Sequence, residues 1–432
     1  MSTRIVVVGG GTAGARLAQR LPVTLLGEEP HAPYNRVLLA DVLAGRYAPE
    51  VIALPGTREP GRLGVRAVRI DRAARTVECA DGSLVGYDRL VLATGSNPVL
   101  PPLRGLRGAG GAALPEGVHA FRTLDDCLAL RDRVRPGVRA VVIGGGLLGV
   151  SAARALAALG AEVVLTQQGE RLMERQLDAA ASGLLREHVE SLGVEVHTEC
   201  RVSGLRQRDG EVTAVELADG FVLDAQVVVL ACGVRPRVAL AREAGLAVAT
   251  GIVVDDGLRT SDPYIHAVGD CAEHGGRVYG LAGPALEQAD ALADLLSAEP
   301  AGSAIPAHLR VAGRPAPAER PRTTAEGAGR TSTTGYAGTR ALTRLTLGGA
   351  EPFDLAAFGD ATPRPGDDVV QLTDATRRAY RKVVVRGDRL VGGVLLGDLA
   401  AVGTLARAWE GDEALPDEAP LLHLLTHDGG SS

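Results

Sequence analysis

Two sets of glycines carry the chemistry that this sequence is equipped to do. Gly9, Gly11 and Gly14 stand in the spacing GxGxxG, and Gly144, Gly146 and Gly149 repeat it. In such a loop the glycines permit a tight turn, let a pyrophosphate approach the backbone, and let a helix pack closely on a strand. The helix N-terminus adds free N–H groups and positive potential. An acid ending the next strand can hydrogen-bond an adenosine ribose. Glu28 stands there after the run Val23 to Leu26, whereas the matching run of the second set, Glu162 to Thr166, continues into Gln167 and Gln168. Gln167 bonds a ribose hydroxyl only weakly and does not repel a 2′-phosphate. Arg171 is near enough in sequence to pair such a phosphate, and equally reads as a solvated surface arginine. The choice between a 2′-hydroxyl and a 2′-phosphate dinucleotide therefore stays open. Asp270 follows Gly269 at the end of the run Ile265 to Val268, where it is well placed to hold a ribityl or ribose hydroxyl; a turn aspartate capping the next segment is the lesser alternative. Two such loops in one chain imply two dinucleotides and electron traffic between them.

The elements that must position these residues are legible around them. Ile5 to Val8 has the length and composition of a buried strand, and an Ala/Leu-patterned helix follows. That helix must be short, because little chain separates Gly14 from Val23. Val138 to Ile143 and the small-residue helix through Ser151 to Leu159 repeat the arrangement. Two further buried strands stop at small residues, Leu90 to Ala93 at Thr94-Gly95 and Val227 to Ala231 at Cys232-Gly233, which lets a ligand or another layer come close. After Gly283, Pro284 is a good first helical residue. Residues 119–134 read as a strand, a cap near Thr123 to Asp125 and an amphipathic helix; residues 201–224 read as a three-stranded meander. Arg381 to Asp398 reads as a hairpin turning at Gly387-Asp388, with a helix following through Trp409.

The fold class expected is α/β: two Rossmann-like, three-layer ββα dinucleotide-binding domains, the second nested in the first, plus a small α+β C-terminal domain. Residues 1–118 and 246–298 would form the first and 119–245 the second. Residues 299–338, rich in Pro, Ala, Arg, Gly, Ser and Thr, read as a flexible linker or insertion. Residues 339–412 form the small domain and 413–432 an acidic tail, whose LLHLL at 421–425 could dock as a helix.

Composition narrows the function classes. The 432 residues carry a formal net charge of -6 with no basic stripe, which excludes nucleic acid as an expected partner. Lys382 is the only lysine, and the abundance of alanine, arginine and glycine looks like coding bias, so scattered arginines are discounted as functional signals. No apolar run approaches the roughly 18–20 residues of a spanning helix, and the chain enters its first strand at once; a cytoplasmic protein without membrane or signal segment is expected. Cys79, Cys127, Cys200, Cys232 and Cys271 lie far apart without a CxxC pair. They read as small core residues, and no metal site or dithiol is expected.

Taken in order, the two GxGxxG units, the nested module, ATGSNP after the first half and TSDPYIHAVGD resemble the two-dinucleotide-binding flavoprotein reductases, the pyridine nucleotide-disulfide oxidoreductase superfamily. Within it, PYNRVLL, VVIGGGLLGVSAARAL, RLMERQLDAAASGLLREHVESLGVEVH, GVRPR, GRVYGLAGP and RKVVVRGDRLVGGVLLGD are similar to the flavoprotein part of assimilatory nitrite reductases and to the electron-transfer subunit of assimilatory nitrate reductase. The resemblance implies FAD in the first site, on Gly9, Gly11, Thr12, Ala13, Gly14 and Glu28, with Arg36, Ala93, Thr94 and Gly95 lining the flavin side. It also implies Gly269 and Asp270 at the ribityl chain, and a helix beginning at Gly283-Pro284 directed at the flavin. NAD(P)H would lie on Gly144, Gly146, Leu147, Leu148, Gly149, Gln167, Arg171, Cys232 and Gly233.

The departures from the family matter as much. Disulfide reductases and the peroxidase and oxidase members need cysteine near the first helix, and residues 15–60 contain none. Ferredoxin reductases commonly carry a lysine after the Tyr-x-Arg element, where this chain has Asp41. The cysteine-rich iron–sulfur and sirohaem regions of full nitrite reductases are not in the sequence, so nitrite reduction itself is not expected of it. The leading expectation is an FAD-dependent NAD(P)H oxidoreductase that passes electrons to a separate acceptor protein, the catalytic component of nitrate or nitrite reduction, with no protein acid or base required and a homodimer as an open arrangement. A rubredoxin or ferredoxin reductase, delivering to a small iron–sulfur protein, is the enzymatic alternative. A non-catalytic NAD(P)H-binding sensor or scaffold is the alternative of another class.

Overall fold

The structure, a computed structural model, describes residues 3–107, 113–298, 335–348, 352–374, 376–412, 414–415 and 425. The expected linker therefore lies outside the described residues up to 334, as does most of the tail with its LLHLL segment. The chain divides into two compact units: residues 1–35, 52–97 and 235–339, and residues 36–51, 98–234 and 340–432. The segments 36–51 and 98–118, expected with the first dinucleotide domain, thus belong to the second unit, and so does the small C-terminal domain.

The first unit is built on an all-parallel sheet in the order Ile265–Ala267, Arg89–Leu92, Ile5–Val8, Val23–Gly27, Arg62–Leu63. Every residue of Ile5–Val8 and of Arg89–Leu92 is buried. A parallel sheet covered on both faces selects continuous apolar runs of this kind rather than an alternating pattern. The helix Thr12–Arg20 packs against Ala282–Ala298, where Arg16 and Arg20 share Asp290 at 2.7 and 2.8 Å. The antiparallel strands Ala67–Asp71, Thr76–Cys79 and Leu84–Gly86 add Ile70, Val77 and Cys79 to the same core.

The second unit repeats the plan with the parallel order Val194–His197, Glu162–Thr166, Arg139–Ile143, Val227–Leu230, Val118–Ala120. The expected meander is present as Val202–Arg208, Glu211–Leu217 and Val222–Asp224. Thr123 caps the helix Leu124–Arg133 through a reciprocal box with Asp126, which satisfies two N–H groups that a helix start otherwise leaves open. At the C-terminus an antiparallel sheet runs in the order Leu342–Leu347, Phe353–Gly359, Arg389–Leu396, Ala379–Arg386, Asp368–Asp374, and the helix Val402–Glu410 buries Leu405 and Trp409 against its core.

Two polar ties fix this sheet to the rest of the second unit. The single lysine, Lys382, donates to Asp178 at 2.8 Å, and the Tyr380 hydroxyl donates to the same oxygen at 2.6 Å, while the other carboxylate oxygen caps the helix Ala179–Ser191. Buried Arg154 donates to Asp41 at 2.8 Å and to the carbonyl of Gly348 at 3.1 Å. Among the described residues no helix is long and apolar enough to cross a membrane.

Candidate functional site

The first loop owes its shape to three glycines with three different reasons. Gly9 has φ +119° and donates its N–H to the carbonyl of Leu26; a Cβ there would stand 2.1 Å from the Ala93 carbonyl oxygen. At Gly14 a Cβ would stand 1.9 Å from the Gly9 oxygen, so helix and loop touch backbone to backbone. Gly11 differs: a Cβ there meets nothing within 4 Å. It is the N-cap of Thr12–Arg20, and no side chain caps that end. An open concavity beside uncapped N–H groups, including those at Thr12 and Ala13, fits a pyrophosphate.

Around this cradle the first unit gathers most of the expected residues. The Ser96 hydroxyl donates to Asp270 at 2.9 Å, which fixes the carboxylate of the Gly269-Asp270 turn. Gly269, at φ +76°, sits over the helix start, its missing Cβ only 3.2 Å from that of Ala13. The Thr94 hydroxyl donates to the Arg237 carbonyl at 2.8 Å, and Gly95 has φ +71° with open space at its Cβ position. The helix expected to begin at Gly283-Pro284 begins at Ala282, which puts Pro284 third, still within the first turn where no N–H is needed. Arg36 belongs to the second unit, where its guanidinium donates to the Arg122 carbonyl at 3.1 Å.

Sequence reasoning missed two partners of the first site. Glu28 pairs with the guanidinium of Arg237, and Arg237 Nε donates to Asn97 Oδ1 at 2.7 Å. Both residues lie in stretches already conspicuous as motifs, GVRPR and ATGSNP, and only the fold reveals that the two stretches meet. Glu28 therefore presents an acid oriented by a fixed cation.

The second loop reproduces the first. Gly144 has φ +113°, donates to the Thr166 carbonyl at 2.8 Å, and would place a Cβ 2.5 Å from the Ala231 oxygen. Gly149 would place one 1.7 Å from the Gly144 oxygen, and Gly146, the N-cap of Leu147–Ala158, meets nothing within 4 Å and has no side-chain cap. Leu147 and Leu148 form the first turn. Gln167 accepts the Gly145 N–H at 2.8 Å through Oε1, which leaves its NH2 group as the donor end of the side chain. Arg171 is 3.8 Å from Glu170 and two-fifths exposed. Gly233, at φ +92°, has open space where a Cβ would stand.

Burial disfavours the thiolate at three of the cysteines. Burial pushes Cys127 up to about 11 and pushes Cys232 and the fully buried Cys271 upward too, so each stays a neutral thiol at physiological pH. Cys232, beside the second loop, donates to the Ile143 carbonyl at 3.5 Å.

Comparison with known proteins agrees with this geometry. A sequence model of the family described as pyridine nucleotide-disulphide oxidoreductase matches residues 3–289, and one described as the rubredoxin NAD+ reductase C-terminal domain matches residues 350–411. The chain is similar to the nitrite reductase [NAD(P)H] large subunit of Klebsiella oxytoca, 35% identical over 98% of this chain and 42% of that protein. It is similar to the assimilatory nitrate reductase electron transfer subunit of Bacillus subtilis, 36% identical over 72% of this chain and 42% of that one. It thus spans less than half the length of either relative. Among solved structures, putidaredoxin reductase in covalent complex with putidaredoxin superposes with a TM-score of 0.78 at 25% identity, covering 99% of both chains.

Proposed function

This chain belongs to the pyridine nucleotide-disulphide oxidoreductase family, an FAD-dependent NAD(P)H oxidoreductase by that membership, and we propose that it delivers electrons to a separate redox protein of nitrate or nitrite assimilation. The observation that carries the reading is the pair of glycine cradles, one in each unit, each open at its middle glycine and each ending in an uncapped helix. Residues 15–60 hold no cysteine, so no thiol pair adjoins the first helix to relay electrons, which supports an acceptor on a separate protein.

The first unit would hold FAD, with its diphosphate against Gly11, Thr12 and Ala13, Glu28 at the adenosine ribose and Asp270 at the ribityl chain. The second would hold NAD(P)H on Gly146, Leu147 and Leu148. FAD, when bound, supplies a two-electron acceptor for the nicotinamide hydride. The protein contributes position and electrostatics: fixed N–H groups, an Asp270 carboxylate held by Ser96, and a helix start at Ala282 whose positive end favours negative charge. An anaerobic titration of the purified protein with NADH and with NADPH tests this reading. Bleaching of a flavin absorption band is the expected result; a colourless protein that added FAD does not reconstitute would refute it.

A second acceptor class has its own support. The chain and putidaredoxin reductase cover each other almost end to end, and the C-terminal match is to a rubredoxin reductase domain. Faster turnover with a small iron–sulfur protein than with a nitrate or nitrite reductase catalytic component would assign the chain to ferredoxin or rubredoxin reduction.

A further inference from the structure

Residues 335–339 dock into the first unit through a hydrogen-bonded chain that ends at the Gly269-Asp270 turn. Gly269 donates its N–H to Gln288 Oε1 at 2.7 Å; Gln288 Nε2 lies 3.5 Å from the Tyr336 hydroxyl; that hydroxyl lies 2.6 Å from Thr339 Oγ1; and Thr339 Oγ1 lies 2.6 Å from Glu287 Oε2. Gln288, Tyr336 and Thr339 are 1%, 5% and 7% exposed. The direction of every bond follows from the two ends. The amide of Gly269 can only donate, which makes Gln288 Oε1 the acceptor and leaves its NH2 to donate to Tyr336. The carboxylate of Glu287 can only accept, so Thr339 donates to it and Tyr336 donates to Thr339. Burial raises the Tyr336 phenol to about 12, so it keeps its proton at neutral pH. The ring is held independently, edge-on to His274 at 4.9 Å, and the Tyr336 N–H donates to the Asp256 carbonyl at 2.7 Å.

Resting on the assignment of FAD to the first unit, we propose that Gln288, Tyr336 and Thr339 are positioning residues for that site, which set the Gly269-Asp270 turn through a directed relay from Glu287. Gly269 has no side chain and a left-handed φ, so its backbone is held by the hydrogen bond of its N–H to Gln288, by the Ala272 N–H donated to its carbonyl, and by the close approach to Ala13. A relay that is satisfied at every link rigidifies what it holds, whereas a broken link leaves a buried donor without an acceptor. Occupancy of the site and docking of residues 335–339 are then coupled, and each stabilises the other.

The test uses the full chain and three variants, Tyr336→Phe, Thr339→Val and Thr339→Ser. FAD affinity is measured by titrating the apoprotein, the flavin midpoint potential by dye equilibration, and backbone hydrogen exchange at residues 336 and 339 with and without FAD. Tyr336→Phe and Thr339→Val should each weaken FAD binding about tenfold, the consequence of breaking one link of the relay. Both should also displace the midpoint potential, while Thr339→Ser, which keeps the hydroxyl, stays at the wild-type values. FAD should slow exchange at both amides in the wild type. The relay is overturned if the wild type binds FAD and the Phe and Val variants bind it equally tightly at the same potential, whatever their melting temperatures, or if Thr339→Ser falls as far as Thr339→Val. Should Tyr336→Phe not fold, the Thr339 pair decides alone. A wild type that takes no FAD removes the cofactor assignment and the relay together, an outcome distinct from variants that match a competent wild type.

Discussion

Gly149→Ala asks whether the third glycine of the second loop is demanded by packing or by the ligand. Gly149 lies within the helix Leu147–Ala158, where alanine is intrinsically favoured over glycine by about 1 kcal/mol. Propensity alone therefore predicts a gain. The structure predicts a loss, because the new Cβ would stand 1.7 Å from the Gly144 oxygen and 3.3 Å from Ala231 Cβ. Real Cβ atoms essentially never come within 3.0 Å, so the helix start must retreat by about 1.3 Å from a backbone atom that cannot swing aside. Overpacking of that kind costs up to ~3 kcal/mol, leaving a net loss of ~2 kcal/mol and a melting point lower by about 4–8 °C for a unit of this size. Two companion variants calibrate the result. Gly146→Ala has open space at its Cβ and an unremarkable φ of −79°, so its melting point should match the wild type while NAD(P)H affinity falls about tenfold, the methyl occupying the approach of the pyrophosphate. Gly183→Ala, on the exposed face of the helix Ala179–Ser191 with nothing within 4 Å, should stabilise by ~0.5–1 kcal/mol. Calorimetry with nicotinamide fluorescence titration reads all three. A Gly149→Ala protein that melts at or above the wild type and binds NAD(P)H equally would refute the packing argument.

Further predictions follow from the same structure. Gln167→Glu keeps an acceptor for the Gly145 N–H but adds a charge that repels a 2′-phosphate, so the ratio of NADPH to NADH affinity should fall about tenfold in paired titrations. Lys382→Met leaves Asp178 24% exposed and still bonded to Tyr380 and Ala181, so the loss should be ~2 kcal/mol, below the usual range for a broken buried pair, and denaturant unfolding measures it. Burial raises the Asp178 carboxyl, and the bonds from Lys382 and Tyr380 outweigh that and hold it below the ordinary 3.8. Its contribution is therefore present above that pH and lost as pH falls through the lowered folded value. Asp367 is held at about 2 by the side chain of Arg386 and the N–H of Arg364, so its stabilisation is complete above 3.8 and lost toward about 2; Asp367→Asn should flatten the acid limb of the stability curve in that window.

Local chemistry explains what could be read before any fold was known. The two GxGxxG loops, their strands and helices, the meander and the C-terminal hairpin are each specified within a few neighbouring residues by glycine φ, apolar runs and turn residues. They could be placed from composition and spacing alone. The shortness of Thr12–Arg20 followed from counting residues between two signals. Chain order placed Asp270 at a strand end; its tie to Ser96, far away in sequence, appears only on folding.

The sequence by itself determined the two dinucleotide loops, the family and the absence of a thiol pair near the first helix, because these depend on residue type over short spans. Tertiary structure alone decided which distant groups meet. It paired Glu28 with Arg237, turned the carbonyl of Gln167 onto Gly145, tied the single lysine to a helix cap at Asp178, moved Arg36 into the second unit, and brought Tyr336 through Gln288 to Gly269. No local propensity encodes such contacts. Each pairs groups that can be satisfied in many ways in an unfolded chain, and packing of the cores leaves only one.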